Sequence, residues 1–262
     1  MATEGAEING IEQLPSVVRS APSVAKTYGE YRQWLRQDFM CSCGYCTMTE
    51  SEGMGRSFEI DHYIPVTMDA SLVNEYSNLV YSCDSCNTFK LDLCPPSQAR
   101  EDGHRYFRPD WDAFDQHFGV SVRDNGDVYL DGISEVGKWT IEHLELNRPT
   151  MRRLRKIRSE LSECRQFVVH GVLALRKFHI DQLDRGIRGK ADSSIRYCIA
   201  LVEKCEEEID KILMAYAISP LDVDDDEARA RRLQRNASLK KIMPLYEGDW
   251  RGRHKSKKTT QP

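Results

Sequence analysis

The sequence predicts an α+β fold, with a small unit of strands and helix followed by a mainly α-helical C-terminal region. Residues 57–63 alternate between apolar and polar side chains, which is typical of a strand, and residues 78–82 form a second short apolar run. The next segment has a helical pattern that ends before Pro95 and Pro96. After Thr150, apolar residues recur at helical spacing over long segments. A strand, loop, strand and helix are therefore expected before the helical region.

Four of the nine cysteines form two Cys-x-x-Cys pairs, Cys43/Cys46 and Cys83/Cys86. A two-residue gap lets both thiolates of one turn face the same ion, and zinc takes four such ligands in a tetrahedron. The pattern predicts one structural zinc, which joins the base of the 36-residue unit between the pairs. Two alternatives remain, a shifted register that uses Cys41 or a set of buried core thiols. The other cysteines lack this spacing and are interpreted as core thiols or surface residues: Cys94, Cys164, Cys198 and Cys205.

The same unit carries residues that suit metal-assisted hydrolysis of a phosphodiester. His62 is the predicted general base, because a neutral imidazole can take a proton from water near neutral pH. Asp61 and Asn87 supply the oxygen ligands that a hard divalent cation such as Mg²⁺ or Mn²⁺ prefers. Asn78 is expected to hold the second imidazole nitrogen, and Lys90 to contact a phosphate oxygen. Each residue taken singly also fits a turn, a strand cap or a helix surface.

Asp61 and His62 are neighbours on the predicted strand, and neighbouring side chains of a regular strand point to opposite faces. Both can serve one site only if the strand end bends. Pro65 removes an amide donor shortly afterwards and favours such a bend.

Three short motifs of this unit resemble the HNH endonuclease family, the ββα-metal nucleases, of bacterial type. They are D-H-x-x-P from Asp61, N-L at Asn78, and C-x-x-C-N-x-x-K ending at Lys90. The third position of the family motif is often His and is Asn87 here, which retains a metal ligand. The resemblance covers residues 28–158. It implies a ββα-metal core with a structural zinc and metal-dependent hydrolysis, usually of DNA, with Mg²⁺ or a similar ion.

The resemblance implies a function, with alternatives. The main hypothesis is an HNH endonuclease that hydrolyses DNA, with RNA left open, and leaves a 5′ phosphate and a 3′ hydroxyl. By association with the family, it would be an effector in bacterial antiviral defence or in a mobile element. One alternative is a non-catalytic zinc-bound module that binds nucleic acid or protein. The other is a nuclease that is silent until a protein partner such as an ATPase activates it.

The flanking segments predict further structure. Residues at helical spacing predict a helix that packs on the core: Tyr28, Tyr31, Trp34, Leu35 and Phe39. Asn125-Gly126 predicts a hairpin with a two-residue turn, and a helix is expected from Ser134 to Leu146. Three histidines of this region are interpreted as structural or exposed residues: His104, His117 and His143.

Charge is unevenly distributed, although the whole chain has a net charge of only −4. Residues 1–150 carry 12 Lys and Arg against 24 Asp and Glu, whereas residues 151–190 and 230–262 have net charges of +7 and +8. An acidic half cannot attract a polyanion through its overall field, so nucleic acid is expected to bind local basic surfaces. The predicted nucleic-acid-binding residues are Arg152, Arg153, Arg155, Lys156 and Arg158. A second candidate is the basic tail from Arg251, and solvated surface is the alternative for both.

The predicted organisation has four parts, listed by residue number. They are a flexible N-terminus (1–26), the HNH nuclease domain (27–149), a helical hairpin region (150–219), and an acidic linker with a short helix and basic tail (220–262). No stretch of about 18 apolar residues is present, and the first residues lack the pattern of a signal peptide. A cytoplasmic protein without membrane contact is therefore expected, and its cysteines are expected to be reduced thiols or metal ligands.

Overall fold

The computed structural model describes residues 17–53 and 55–176, several positions between 193 and 207, and residues 226–251. The chain divides into two compact units. The larger unit comprises Gln13–Val122, Tyr129–Met151 and Asp224–Pro262. The smaller unit comprises Met1–Glu12, Arg123–Val128 and Arg152–Val223.

The described elements confirm the mixed α+β class. In chain order they are α1 (Arg32–Asp38), β1 (Phe58–His62), β2 (Leu79–Cys83), α2 (Asp84–Lys90), α3 (Ser97–Glu101), α4 (Phe114–His117), β3 (Phe118–Val122), β4 (Val128–Gly132), α5 (Glu135–His143), α6 (Pro149–Arg176) and α7 (Asp226–Ile242). Short 3-10 helices lie at Tyr28–Tyr31, Ala70–Leu72, Tyr76–Asn78 and Met243–Leu245. Strands β1 and β2 form one two-stranded sheet, and β3 and β4 form another.

The β1–β2 ribbon is the base of the predicted strand, strand and helix unit. The two strands are antiparallel, with His62 opposite Leu79 and Phe58 opposite Cys83. All five residues of β2 are buried, whereas β1 buries only Phe58 and Asp61 and keeps Glu59 exposed. Because α2 follows β2 without a loop, Cys83 and the first turn of α2 lie next to each other. The first turn of α2 therefore lies near the start of β1, and Lys90 in its last turn reaches Asp61 and His62 at the end of β1.

Helix α2 is shorter than its sequence pattern predicts. The apolar pattern continues to Leu93, but the helix ends at Lys90, and Leu91 has a φ of 48°. The physical reason lies in the residues that follow. Leu93 forms an antiparallel bridge with Arg251, and the Cys94 amide donates to the Trp250 carbonyl at 2.9 Å. These extended contacts use backbone groups that a longer helix would need for itself.

The predicted N-terminal helix packs on the core with a narrower face than expected. Tyr31, Leu35 and Phe39 are buried, which confirms the packing prediction. Tyr28 and Trp34 remain 40% and 46% exposed. Trp34 lies next to Leu35 in sequence and so points about 100° away from it around the helix. Tyr28 belongs to the preceding 3-10 turn, where it lies at the surface.

The hairpin predicted at Asn125-Gly126 is present with a longer turn. The Arg123 amide donates to the Asp127 carbonyl at 2.9 Å, so three residues rather than two form the turn. Gly126 has a φ of 78°, the left-handed conformation that three-residue turns place at their last position. The prediction of a two-residue turn is therefore wrong, although the hairpin itself is confirmed.

Helix α5 carries much of the core beside the hairpin. The Ser134 hydroxyl accepts a hydrogen bond from the Gly137 amide and caps the helix, as the predicted start requires. His143 is fully buried and stacks on Trp139, with ring centroids 3.7 Å apart. Burial lowers the pKa of His143 to about 4, so the ring is neutral at physiological pH. The structural interpretation of His143 is confirmed.

The C-terminal part of the larger unit returns to this core. From α7, Arg231 and Arg235 reach the Glu145 carboxylate at 3.2 Å and 3.6 Å. Further on, the Tyr246 hydroxyl donates to Asp102 at 3.0 Å, and Trp250 is 5% exposed. Residues 226–251 are thus folded onto the same unit as β1, β2 and α2. The four predicted domain boundaries stay a prediction.

Helix α6 begins at Pro149, so Thr150 lies in its first turn. Proline is favoured at a first helical position because its missing amide has no partner there in any case. The second helix of the predicted hairpin lies mostly outside the described residues, as do residues 1–16 and 252–262. Within the described ranges, no helix has the length and apolarity needed to cross a membrane.

We predict that Gly137→Ala destabilises the larger unit. A Cβ atom at this position would lie 1.9 Å from the His117 carbonyl oxygen, so the backbone must shift. The expected loss is about 1–3 kcal/mol, the usual range for overpacking, measured by urea unfolding. Gly119→Ala is the matched control, because its Cβ would meet neighbours only at 3.8 Å or beyond. Equal midpoints for the two variants would contradict the prediction.

Candidate metal centre and active site

Four sulfur atoms form a compact buried cluster. The Sγ atoms of Cys43, Cys46, Cys83 and Cys86 all lie within 4.8 Å of one another, and those of Cys46 and Cys83 are 3.7 Å apart. A tetrahedral zinc with bonds of about 2.3 Å needs sulfur atoms about 3.8 Å apart. The donor set and its spacing therefore fit zinc. Cys41 lies outside the cluster, so the shifted register is not adopted.

Local backbone geometry delivers the first cysteine pair. The Cys43 amide donates to the Met48 carbonyl at 2.8 Å, which closes a tight loop. The next amide, that of Gly44, donates to the Tyr81 carbonyl at 2.8 Å and joins this loop to β2. A Cβ atom at Gly44 would lie 2.9 Å from a Val80 methyl group and closer still to the Phe39 ring. Glycine therefore allows the loop to approach the strand that carries Cys83.

Burial shapes the acid–base chemistry of the cluster. It raises the pKa of the Cys43 thiol, because a thiolate is poorly solvated in the interior. Hydrogen bonds from the neighbouring thiols, that of Cys43 first, lower the pKa of Cys46. Four buried thiolates require a cation to compensate their charge, and zinc supplies that charge in sites of this type.

Asp61 and Lys90 form a buried ion pair beneath the end of β1. The Lys90 ammonium donates to Asp61 Oδ1 at 3.0 Å, and it is fully buried while Asp61 is 5% exposed. The Tyr45 hydroxyl donates to Asp61 Oδ2. Lys90 also donates to the His62 carbonyl at 2.7 Å. The ammonium is thus directed at Asp61 and the backbone, away from the surface position that a phosphate contact would need.

The His62 ring is held by a carbonyl group and an aromatic ring. Its Nε2 atom lies 2.9 Å from the Val73 carbonyl, and the Tyr28 ring packs edge-on at a centroid distance of 4.8 Å. Because a carbonyl only accepts, Nε2 carries the proton and Nδ1 is the basic nitrogen. Asn78 was expected to fill the role that Val73 has. Its side chain instead accepts from the Ile64 amide at 2.8 Å and donates to the Ile64 carbonyl at 3.0 Å.

Asn87 pairs with a residue that the sequence interpretation missed. Its Nδ2 atom donates to Glu59 Oε2 at 2.5 Å, so its oxygen is the atom it can offer to a cation. Glu59 lies two residues before Asp61 on β1, and residues two apart share a face of a strand. The two-residue spacing between Glu59 and Asp61 is visible in the sequence and would have indicated Glu59 as a further carboxylate of the site. Tyr28 had no comparable signal, because its spacing indicated packing alone.

One cleft unites most of the predicted site. It has a volume of about 270 Å³, and in the described part of the chain it is lined by Ile60, Asp61, His62, Pro65, Val66, Thr67, Asn87, Leu91 and Asp92. The chain bends at residues 63–64, directly after β1, which agrees with the expected distortion of the strand end. Asp61 and His62 therefore both reach the cleft. Asn78 and Lys90 do not line the cleft, but the hydrogen bonds described above stabilise the residues around it.

The predicted basic cluster lies at the start of α6, in the smaller unit. Arg152 pairs with Asp127 at 2.9 Å, and Arg155 donates to the Val128 carbonyl at 3.1 Å. Lys156 lies 4.0 Å from Glu160. Two of these cations thus help to hold the 123–128 turn of their own unit. Their role in binding nucleic acid, like that of Arg153 and Arg158, stays a prediction.

We predict that Cys83→Ser removes zinc and lowers stability, whereas Cys41→Ser retains both. Only Cys83 belongs to the four-sulfur cluster, and structural zinc contributes directly to folding free energy. Metal content by mass spectrometry and thermal melting with and without a chelator provide the measurement. Loss of one zinc per chain in Cys41→Ser, or its retention in Cys83→Ser, would overturn the assignment of ligands.

We predict that Lys90→Met destabilises the larger unit by about 3–5 kcal/mol, because it leaves the Asp61 carboxylate buried without its cation. Lys138→Met is the matched control. Lys138 is 58% exposed and pairs with Glu135 on the surface, so its loss should change stability by less than about 0.5 kcal/mol. Urea unfolding of both variants measures the difference. A stability of Lys90→Met close to that of the control would indicate that Lys90 has a surface role.

The comparisons with known proteins agree with this geometry. The sequence model of the HNH endonuclease family matches residues 43–92, which include the four clustered cysteines and the cleft-lining residues of β1 and α2. No curated protein and no solved structure matches the chain at a significant level. Residues 43–92 of this protein are therefore similar to the HNH endonuclease family, over the segment whose four cysteines are positioned to hold a metal ion.

Proposed function

We propose that this protein is a metal-dependent endonuclease that hydrolyses phosphodiester bonds in DNA. The observation that carries the proposal is the single cleft in which His62, Asp61 and Asn87 meet, beside the four-sulfur cluster. A general base and oxygen donors in one concave site are the parts that hydrolysis of a phosphodiester needs. The HNH family match over the same residues supports the same reaction class.

His62 acts as the general base. Its Nε2–H group donates to the Val73 carbonyl, which fixes the tautomer and leaves Nδ1 to take a proton from the attacking water. The contact with Tyr28 limits rotation of the ring. Because the ring lines the cleft, a water molecule beside the scissile phosphate can lie within hydrogen-bond reach of it.

Asp61 and Asn87 would hold a divalent cation such as Mg²⁺ or Mn²⁺. Both oxygen atoms of Asp61 already accept one hydrogen bond, but a carboxylate has about four acceptor positions, so further positions remain for an ion. The Asn87 oxygen and the nearby Glu59 carboxylate add hard donors of the kind these cations prefer. When bound, such an ion would neutralise charge on the phosphate and on the leaving 3′ oxygen. Attack of water on phosphorus, with cleavage of the bond to the 3′ oxygen and protonation of that oxygen, would leave a 5′ phosphate and a 3′ hydroxyl.

Lys90 positions the site instead of contacting the substrate. Its ammonium joins the Asp61 carboxylate to the His62 carbonyl, so the metal-binding side chain and the backbone of the general base share one anchor. Buried pairs of this kind are sensitive to loss of either partner. Lys90 therefore fixes the relative placement of Asp61 and His62.

The biological setting follows from the family resemblance. By association with that family, an endonuclease of this class would serve as an effector in bacterial defence or in a mobile element. The alternative is a nuclease that is silent until a protein partner such as an ATPase activates it. The basic residues of α6, with Arg153 exposed among them, are proposed as an additional contact for the nucleic acid.

We predict that His62→Ala lowers cleavage of plasmid DNA in Mg²⁺ or Mn²⁺ by roughly 10²–10⁴-fold, the usual contribution of a general base. Zinc content and melting temperature should stay close to those of the unmodified protein. His104→Ala is the matched control, because His104 packs against Trp139 and Tyr246 away from the cleft. Gel assays of supercoiled, nicked and linear DNA measure the rates. Unchanged cleavage in His62→Ala would refute the mechanism. It would favour the alternative in which this protein is a non-catalytic zinc-bound module and a contaminating nuclease cleaves the DNA.

A further inference from the structure

We infer that Leu91 is a substrate-contacting residue, whose exposed side chain packs on the sugar of the nucleotide beside the scissile phosphate. This inference rests on the proposed function and extends it to how the cleft holds its substrate. The charges of the site pose a physical problem for a polyanion. Asp61 and Asp92 line the cleft, with Glu59 close to Asn87, and the first 150 residues have twice as many acidic as basic residues. A contact that does not depend on charge therefore suits this cleft.

Leu91 lies in the cleft and is open to solvent. It follows the last residue of α2 directly, and it lines the cleft together with His62 and Asn87. Its amide donates to the Asn87 carbonyl at 2.9 Å, which fixes the backbone at this point. Leu91 is 60% exposed, so packing in the core does not account for an apolar side chain here. A molecule that occupies the cleft would meet this side chain.

The backbone at Leu91 has a conformation that favours glycine. The Leu93 amide donates to the Lys90 carbonyl at 3.1 Å, which closes a four-residue turn with Leu91 at its first central position. Leu91 has a φ of 48° and a ψ of −129°. These are the angles of the first central position in a type II′ turn, where glycine is preferred because it has no Cβ atom. Of the five described non-glycine residues with positive φ, Leu91 alone lines the cleft.

Two ordinary reasons for a leucine do not apply at position 91. The residue is mostly exposed, so its side chain is not retained by the core. The turn is better formed by glycine, so the residue is not retained by the backbone either. Strained conformations cluster at sites that bind ligands, where the side chain has a use that compensates the strain. An interaction with the occupant of the cleft supplies such a use.

The apolar part of a nucleotide is the surface that fits Leu91. A phosphate within reach of His62, Asp61 and Asn87 brings a sugar into the cleft, because the two groups are covalently joined. Leucine is among the apolar side chains that proteins place against DNA, where they contact sugars and base steps. Contact with a sugar reads no base sequence, so Leu91 would support binding of DNA of any sequence. Further apolar residues line the same cleft: Ile60, Pro65 and Val66.

The test separates an apolar contact from charge and from backbone strain. The probe is a short DNA duplex with a fluorescent end label, titrated with full-length protein carrying His62→Ala in Mg²⁺ buffer from about 50 to about 200 mM salt. Leu91→Gln and Leu91→Met form the central pair, because both retain a Cβ atom and have similar lengths but differ in polarity. Leu91→Gly removes the side chain and the strain together. Met40→Gly is its matched control, because Met40 has a φ of 50°, is 49% exposed and does not line the cleft.

Leu91→Gln should bind DNA about fivefold to twentyfold more weakly than the parent protein, because it loses the apolar area that the sugar would cover. Leu91→Met should stay within about twofold of the parent, because methionine keeps that area. The salt slope should not change in either variant, whereas loss of a phosphate contact would lower it by about 0.9. With His62 retained, Leu91→Gln should raise KM for cleavage and leave kcat within about twofold.

The glycine variants test the strain. Leu91→Gly should unfold at a higher urea concentration than the parent protein, because glycine adopts the turn conformation without a steric clash. It should also bind DNA as weakly as Leu91→Gln does. Met40→Gly should gain stability in the same way but keep the affinity of the parent. A lower unfolding midpoint for Leu91→Gly would show that packing holds the leucine in place, and would overturn the inference.

The outcomes separate this inference from the proposed function. Equal affinities for Leu91→Gln and Leu91→Met would overturn the contact, whether or not the protein cleaves DNA. An equal loss of affinity in Leu91→Gly and Met40→Gly would overturn it as well. A loss of affinity in Leu91→Gln and Leu91→Gly alone supports the contact even if the unmodified protein cleaves no DNA with any ion. In that case the proposed reaction fails by itself.

Discussion

The cluster of four sulfur atoms is the constraint on which the rest of the site depends. It joins a tight loop at Cys43 and Cys46 to the junction of β2 and α2, two chain segments that are also linked by the hydrogen bond from the Gly44 amide to the Tyr81 carbonyl. A metal bound there fixes the start of α2 against β2. Because β1 pairs with β2 in a defined register, the same bond network determines which residues of α2 face the end of β1. A metal ion held by the four cysteines would thus set the geometry of the neighbouring cleft.

The second level of organisation is the buried pair of Asp61 and Lys90. A charge in the interior is costly unless it is paired and hydrogen-bonded, and here the carboxylate has a cation and a phenol while the ammonium has a carboxylate and a carbonyl. The carboxylate and the ammonium therefore each have the hydrogen-bond partners that a buried charge requires, and this favours one arrangement of the two side chains. From its spacing to Asn87 alone, Lys90 was expected to contact a phosphate of the substrate. The buried ion pair with Asp61 gives a structural reason for lysine at this position.

Much of the site was predictable because its chemistry requires residue types at fixed spacing. The cysteine pairs identified the metal cluster, and the Asp-His dipeptide before Pro65 identified the cleft and its bent strand end. Other parts depend on contacts between distant positions. The group that orients His62 is the backbone of Val73, which has no residue-type signal. The end of α2 is set by pairing with Arg251, 158 residues after Leu93, and no local pattern reports such a contact. An asparagine such as Asn78 can either orient the His62 ring or hydrogen-bond to the backbone of Ile64, and the sequence alone does not distinguish these two roles.

Leu91 gives the cleft a dependence on a distant part of the chain. A leucine with a φ of 48° occupies a sparsely populated backbone conformation that costs about 1–3 kcal/mol. It persists because the following residues are tied to the backbone of Trp250 and Arg251. Without these backbone contacts Leu91 would be free to relax, and the wall of the cleft that it forms would change shape. Displacement of residues 250 and 251, by proteolysis or by a competing partner, would therefore reshape the cleft itself.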